Sequence, residues 1–117
     1  MIENFGIGID ITSISDFEKI SYRQKPGLYK NIFQQSEIDY CLKYENPSPH
    51  FAGKFALKEA VKKSINERIY ISKIVTSHVQ LKPKITLYDS EKKYAFKASI
   101  SHEKDYAIAI VISEEQY

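Results

Sequence analysis

Phe5, Ile7, Ile9 and Ile11 alternate with Gly6, Gly8 and Asp10, the period-two pattern of a β-strand. Ser13 and Ser15 come next as candidate caps for a short helix through Ile20, and Ser15 with Glu18 has capping-box spacing. Pro26-Gly27 marks Ser21 to Lys30 as a loop, and a second short helix is expected from about Ser36 to Tyr44. Asn46-Pro47-Ser48-Pro49 then breaks the chain before its longest helical pattern, about Pro49 to Ile65. Ser48 is the candidate cap there and Pro49 sits at the first helical position. The remainder reads as strands at Ile69–Val75, Ile85–Tyr88, Tyr94–Ile100 and Tyr106–Ile112, with the polar run Asp89-Ser90-Glu91-Lys92-Lys93 as a turn. Helices and strands are mixed and the strands fall late. The expected class is α+β, a mostly antiparallel sheet packed with one long and two short helices.

Composition adds bounds. The 117 residues fit one domain, 1–117, without repeats or an evident linker. A domain of this size buries only about two-thirds of its unfolded surface, so association with further copies would help it. Apolar residues make up 43% and charged residues 27%, as in ordinary soluble proteins. Nine Tyr and six Phe without Trp favour half-wet surfaces such as interfaces. A net charge of +2 is too small to argue for nucleic acid. The lone Cys41 suits a reducing compartment. Neither a membrane-length apolar run nor a signal peptide is evident; the cytoplasm is the expected location.

Three places carry candidate chemistry. Asp10 shares a strand face with Gly6 and Gly8, which leave room for a ligand or another chain to approach the backbone; an Asp that ends a strand and caps the next helix explains it equally. On the long helix, Lys54, Lys58 and Lys62 fall on one stripe, as a solvated face should. Glu59 and Lys63 project instead among Ala52, Phe55 and Ala56. Four residues apart, they can form a helix pair worth roughly 0.2–0.5 kcal/mol, but a carboxylate beside apolar neighbours needs a cation or hydrogen bonds to satisfy it. His102 ends the strand that carries Ser99-Ile100-Ser101, a position more often surface than ligand. His50 and His78 have no supporting context.

Taken in order, Gly6-Ile7-Gly8-Ile9-Asp10-Ile11, Phe33-x-x-Ser36-Glu37, the helix Phe51-Ala52-Gly53-Lys54-Phe55-Ala56-Leu57-Lys58-Glu59-Ala60-Val61-Lys62-Lys63 and the strand Ser99-Ile100-Ser101-His102-Glu103-Lys104-Asp105-Tyr106-Ala107 resemble the holo-[acyl-carrier-protein] synthase family of 4′-phosphopantetheinyl transferases. The resemblance spans nearly the whole chain. It implies the phosphopantetheinyl transferase fold and Mg²⁺-dependent transfer of the phosphopantetheine arm of coenzyme A to a serine of an apo acyl carrier protein, releasing adenosine 3′,5′-bisphosphate. By the same resemblance Asp10 and Glu59 are the metal ligands, and with Lys63 the catalytic set. Lys54, Lys58, Lys63, Ser64, Pro83, Ser101 and His102 are substrate-binding, with Lys63 toward the coenzyme A phosphates and His102 toward the 3′-phosphate. It also implies a homotrimer with active sites between subunits. Mg²⁺ takes one or two carboxylates together with phosphate oxygens and water, so two acids suffice.

The chain departs from the family pattern twice. A glycine-threonine-glycine turn usually comes after the long helix, where this chain reads Ser64-Ile65-Asn66-Glu67-Arg68, and Lys82-Pro83 stands where a Gly commonly precedes that proline. Asp16 occupies the place of an arginine that meets an acidic carrier helix. A homologue that binds coenzyme A or carrier without turnover is the alternative these departures favour. A nucleic-acid module on the Lys54-Lys58-Lys62 stripe is a third reading, which the near-balanced charge disfavours.

Overall fold

The computed structural model describes residues 2–117. The elements are β1 (Phe5–Ser13), α1 (Ser15–Lys19), α2 (Pro26–Lys30), α3 (Gln35–Leu42), α4 (Ser48–Ser64), β2 (Ile74–Val79), β3 (Lys82–Leu87), β4 (Lys93–His102) and β5 (Tyr106–Gln116). One antiparallel sheet has the order β1-β5-β4, and β2 and β3 form a separate antiparallel pair. The α+β class with antiparallel pairing is as expected; the strands make two sheets.

The helix α4 lies across one face of the three-stranded sheet. That face is built from small residues: Gly6 and Gly8 on β1, Ala107, Ala109 and Val111 on β5. A Cβ placed on Gly8 would overlap the carbonyl of Ala60, and one on Gly6 would overlap that of Ser64. The space that the two glycines leave is therefore taken by the backbone of α4. Ala56, Leu57, Ala60 and Val61 of α4 close the core with Ile74, Ala109 and Val111. A second cluster, Tyr29, Phe33, Ile38, Cys41 and Phe51, ties α2 and α3 to the start of α4.

The other sheet face is apolar and open. Ile7 pairs with Ile112, Ile9 with Ile110, and Ile11 with Ile108, and all six side chains are 40–66% exposed. Strand alternation assigned Phe5, Ile7, Ile9 and Ile11 to one row correctly, but that row faces outward.

Several local expectations shift. The stretch expected as loop contains α2, whose Tyr29 is buried and donates its hydroxyl to the Ile20 carbonyl at 2.5 Å. A proline in the first turn and an apolar anchor suffice for one short helix. Ser15 and Ser48 are the first residues of α1 and α4, and neither helix has a side-chain cap hydrogen bond. The strand expected at Ile69 starts at Ile74, after a 3-10 turn at Ile71–Lys73; Ile69 packs on the core without pairing. The hairpin β2–β3 turns through Gln80 and Leu81 at positive φ, 50° and 69°, in a tight turn without the Gly or Asn that normally announces one.

Candidate active site

The glycine contacts set the register between strand and helix. Gly6 meets Ser64 and Gly8 meets Ala60, so two strand residues, about 6.8 Å, answer to four helix residues, about 6 Å, in opposite directions. Asp10, two residues further on the same row, comes level with the turn Ala56–Glu59. The Lys63 ammonium reaches back to it, 3.3 Å from Asp10 Oδ1 and 3.0 Å from the Ile9 carbonyl. Thr12 donates its hydroxyl to Asp10 Oδ2 at 2.8 Å. The expected Glu59–Lys63 pair is not formed: Lys63 is drawn to Asp10, and half-buried Glu59 has no hydrogen bond or ion pair among the described residues. Asp10 and Lys63, distant in sequence, thus meet at one edge of the α4–β1 contact, and Glu59 lies one helical turn from Lys63 on α4.

This donor set suits a hard divalent cation. Asp10 is only 17% exposed at its side chain and is oriented by Thr12 through one oxygen. The other oxygen faces an ammonium, evidence that a positive charge is stable there. Glu59 adds a carboxylate with nothing yet bonded to it. Mg²⁺ accepts one or two carboxylates together with phosphate oxygens and water, so Asp10 and Glu59 are a sufficient protein donor set.

The lysine stripe requires correction. Lys54 and Lys58 are not on a solvated face; they are 3% and 0% exposed, and of the three only Lys62 is in solvent. Lys58 donates to Glu37 Oε1 at 2.7 Å, to the Ile32 carbonyl at 2.8 Å and to the Ile71 carbonyl at 3.4 Å, which engages all three of its protons and leaves none for a coenzyme phosphate. Glu37 Oε2 accepts from the Thr76 N–H at 2.9 Å and its hydroxyl at 2.6 Å, and Oε1 also from the Gln34 N–H at 2.8 Å. Lys54 donates to Thr76 Oγ1 at 2.9 Å and sits 4.7 Å above the Tyr40 ring. Burial pushes both lysines down from their ordinary pKa, and Glu37 opposes it. The network binds α3 and β2 to the helix that carries Glu59 and Lys63. Glu37 stands in the sequence motif without a role; a Glu three residues after Gln34, the spacing of a capping box, was the available signal.

Ser64 is also internal: its hydroxyl donates to the Val61 carbonyl and its own carbonyl accepts from Ser113, at 2.8 and 2.7 Å. Pro83 lies on β3 opposite His78, and Ser101 and His102 are exposed at the end of β4. His102 has company the sequence does not show. Its ring is 5.9 Å from that of His50, which stacks on Tyr44 at 3.5 Å, while His78 stacks on Tyr40 at 5.1 Å. Burial lowers the pKa of His50, and His102, His78 and Lys54 add to that; burial and Lys54 lower that of His78. Burial, with the Tyr44 hydrogen bond, raises the Tyr40 hydroxyl to about 12. An imidazole–phenol patch at the N-terminal end of α4 therefore adjoins His102 through His50.

The comparisons agree in one direction. The family model of the 4′-phosphopantetheinyl transferase superfamily matches residues 6–111. The chain is 35% identical over 115 residues to the holo-[acyl-carrier-protein] synthase of Thermodesulfovibrio yellowstonii, covering 96% of this chain and 98% of that one. It is 36% identical to the synthase of Ehrlichia chaffeensis, covering 92% and 94%. Among solved structures it is similar to the Helicobacter pylori holo-[acyl-carrier-protein] synthase in complex with coenzyme A, with a TM-score of 0.77, 36% identity and coverage of 92% and 99%. Together with the α4–β1 site, these likenesses show that the chain belongs to the holo-[acyl-carrier-protein] synthase family of the 4′-phosphopantetheinyl transferase superfamily.

Proposed function

We propose that the chain moves the 4′-phosphopantetheine arm of coenzyme A onto a serine of an apo acyl carrier protein, with Asp10 and Glu59 as carboxylate ligands of Mg²⁺ and Lys63 as a fixed positive charge beside them. The reaction is that of the family to which the chain belongs. The residue roles rest on one observation: the Lys63 ammonium touches Asp10 across the α4–β1 packing, and Glu59 stands one helical turn away.

In the reaction the serine Oγ attacks the phosphorus next to the pantetheine. The bond to the bridging pyrophosphate oxygen breaks, and adenosine 3′,5′-bisphosphate leaves with that electron pair. Mg²⁺ held by Asp10 and Glu59 would supply Lewis-acid polarisation of the phosphoryl group. Lys63 lies near the same charge and stabilises it as a point charge. Glu59 is the candidate base for the serine proton, directly or through one water. His102 and its patch lie toward the start of α4: six to nine residues separate His50 from the turn level with Asp10, about 9–14 Å along the helix. His102 is assigned to the 3′-phosphate on the family motif it matches, Ser99-Ile100-Ser101-His102.

A homotrimer acting on a fatty-acid carrier in the cytoplasm is the proposed setting. The six-isoleucine face supports the assembly, because so much contiguous apolar surface on a monomer marks a place for a partner. The lone, buried Cys41 fits a reducing compartment.

The test is arm transfer, measured by mass, as a function of Mg²⁺. Glu59→Gln and Asp10→Asn should each raise the Mg²⁺ concentration for half-maximal rate and lower kcat at least ~100-fold, the scale of a lost charge-stabilising contact, with the thermal midpoint little changed. Parent-like rates in Glu59→Gln would refute the role assigned to it.

A further inference from the structure

The segment after α4 is where the chain departs from its family's glycine turn, and a carboxylate anchors it instead. Glu67 Oε1 accepts from the backbone N–H of Glu91 at 3.0 Å; Oε2 accepts from the hydroxyls of Ser90 and Tyr94, each at 2.9 Å. These donors belong to the β3–β4 turn and the start of β4, so one side chain fixes the loop to a distant element. Burial pushes the Glu67 carboxyl up, but the hydrogen bonds outweigh it and hold the group below its ordinary value. The next residue, Arg68, lines a cleft of about 770 Å³ with Lys62, Lys73, Tyr70 and Tyr88. Lys73 is already paired with Asp89 at 3.1 Å. Lys62 and Arg68 have no ion-pair partner among the described residues. The cleft opens beside the last turn of α4, which contributes Lys62 to its wall. A carboxylate in the wall of such a cleft would repel an anion; with three donors on it, much of that charge is screened.

We propose that Glu67 is a positioning residue for coenzyme A: it locks the loop so that Arg68, with Lys62, receives a phosphate of the coenzyme in this cleft. The inference rests on the transferase reading and adds the residues by which this chain replaces a glycine turn. A guanidinium offers a phosphate two parallel N–H donors, but only when its backbone is held still, and Glu67 supplies that restraint one residue away.

Steady-state kinetics with coenzyme A and apo-carrier varied separately test it, beside calorimetric coenzyme A binding and a thermal midpoint. Arg68→Ala should raise the KM and Kd for coenzyme A about tenfold, the loss of one charged contact of about 1.4 kcal/mol. Its kcat and carrier KM should stay within about twofold of the parent. Glu67→Gln should show the same split, and Glu67→Gln with Arg68→Ala should be no worse than Arg68→Ala alone, because the carboxylate acts through the guanidinium. Arg68→Lys should restore part of the affinity. Tyr94→Phe, which removes a single donor, gives the milder version should Glu67→Gln fold poorly. Unchanged coenzyme affinity in Arg68→Ala, or losses that add in the double variant, would overturn the proposal. A parent that binds coenzyme A without transferring the arm would defeat the transferase reading instead, and the calorimetric comparison would still decide this one.

Discussion

Lys58 shows how far a side chain's surroundings can depart from its type. Its ammonium is fully buried, 2.7 Å from Glu37, with carbonyls of Ile32 and Ile71 filling the remaining positions. Removing one member of such a pair leaves the other charge stranded in low dielectric, at a cost of about 3–5 kcal/mol, whereas replacing both with apolar groups is often tolerated. Lys58→Met should therefore lower urea stability by that amount. The double variant Glu37→Leu with Lys58→Met should recover much of it, though Thr76 then loses its acceptor. A Lys58→Met protein as stable as the parent would show that the pair is dispensable. Three lysines at four-residue spacing read as a wet stripe, since periodicity reports which residues share a side but not what lies opposite. The opposing groups are remote in the chain: Glu37 stands 21 positions from Lys58 and 39 from Thr76.

At the scale of elements, the α4–β1 contact does the positioning. Its closeness depends on the missing Cβ atoms of Gly6 and Gly8, since a methyl at Gly8 would meet the Ala60 backbone, which cannot swing aside as a side-chain end could. Gly8→Ala should cost about 1–3 kcal/mol, the usual range for overpacking, and lift α4 away from Asp10. Its kcat/KM should fall further than that of an equally destabilised core variant elsewhere, a comparison of thermal midpoints with transfer rates. The elements themselves were largely legible: β1, α3, α4, β4 and β5 lie where alternation, helical spacing and proline breaks put them. The β2–β3 hairpin was less so, because Gln80 and Leu81 turn it at positive φ without a sequence signal, and α2 hid behind a Pro-Gly pair. Of the site, the roles of Asp10, Glu59, Lys63 and His102 came through family resemblance, and the order of the chain does not reveal that Lys63 meets Asp10. The aromatic partners of His102 were invisible, since contact between α3, α4, β2 and β4 exists only once the chain is folded.

For the molecule as a whole, the decisive surface is the ladder Ile7–Ile112, Ile9–Ile110 and Ile11–Ile108. Ile9→Asp at its centre should convert the proposed homotrimer to monomers in sedimentation, and a mass equal to the parent's would refute this face as its interface. The same strand carries Asp10 on its reverse side, between Ile9 and Ile11, so whatever covers the isoleucines also braces the backbone that aims the carboxylate. A lone chain with this face bare is the species most prone to nonspecific clumping. Specific activity should therefore sag in dilute stocks and recover on concentration, and the lifetime of the enzyme in a cell would be governed by how quickly newly made chains find one another.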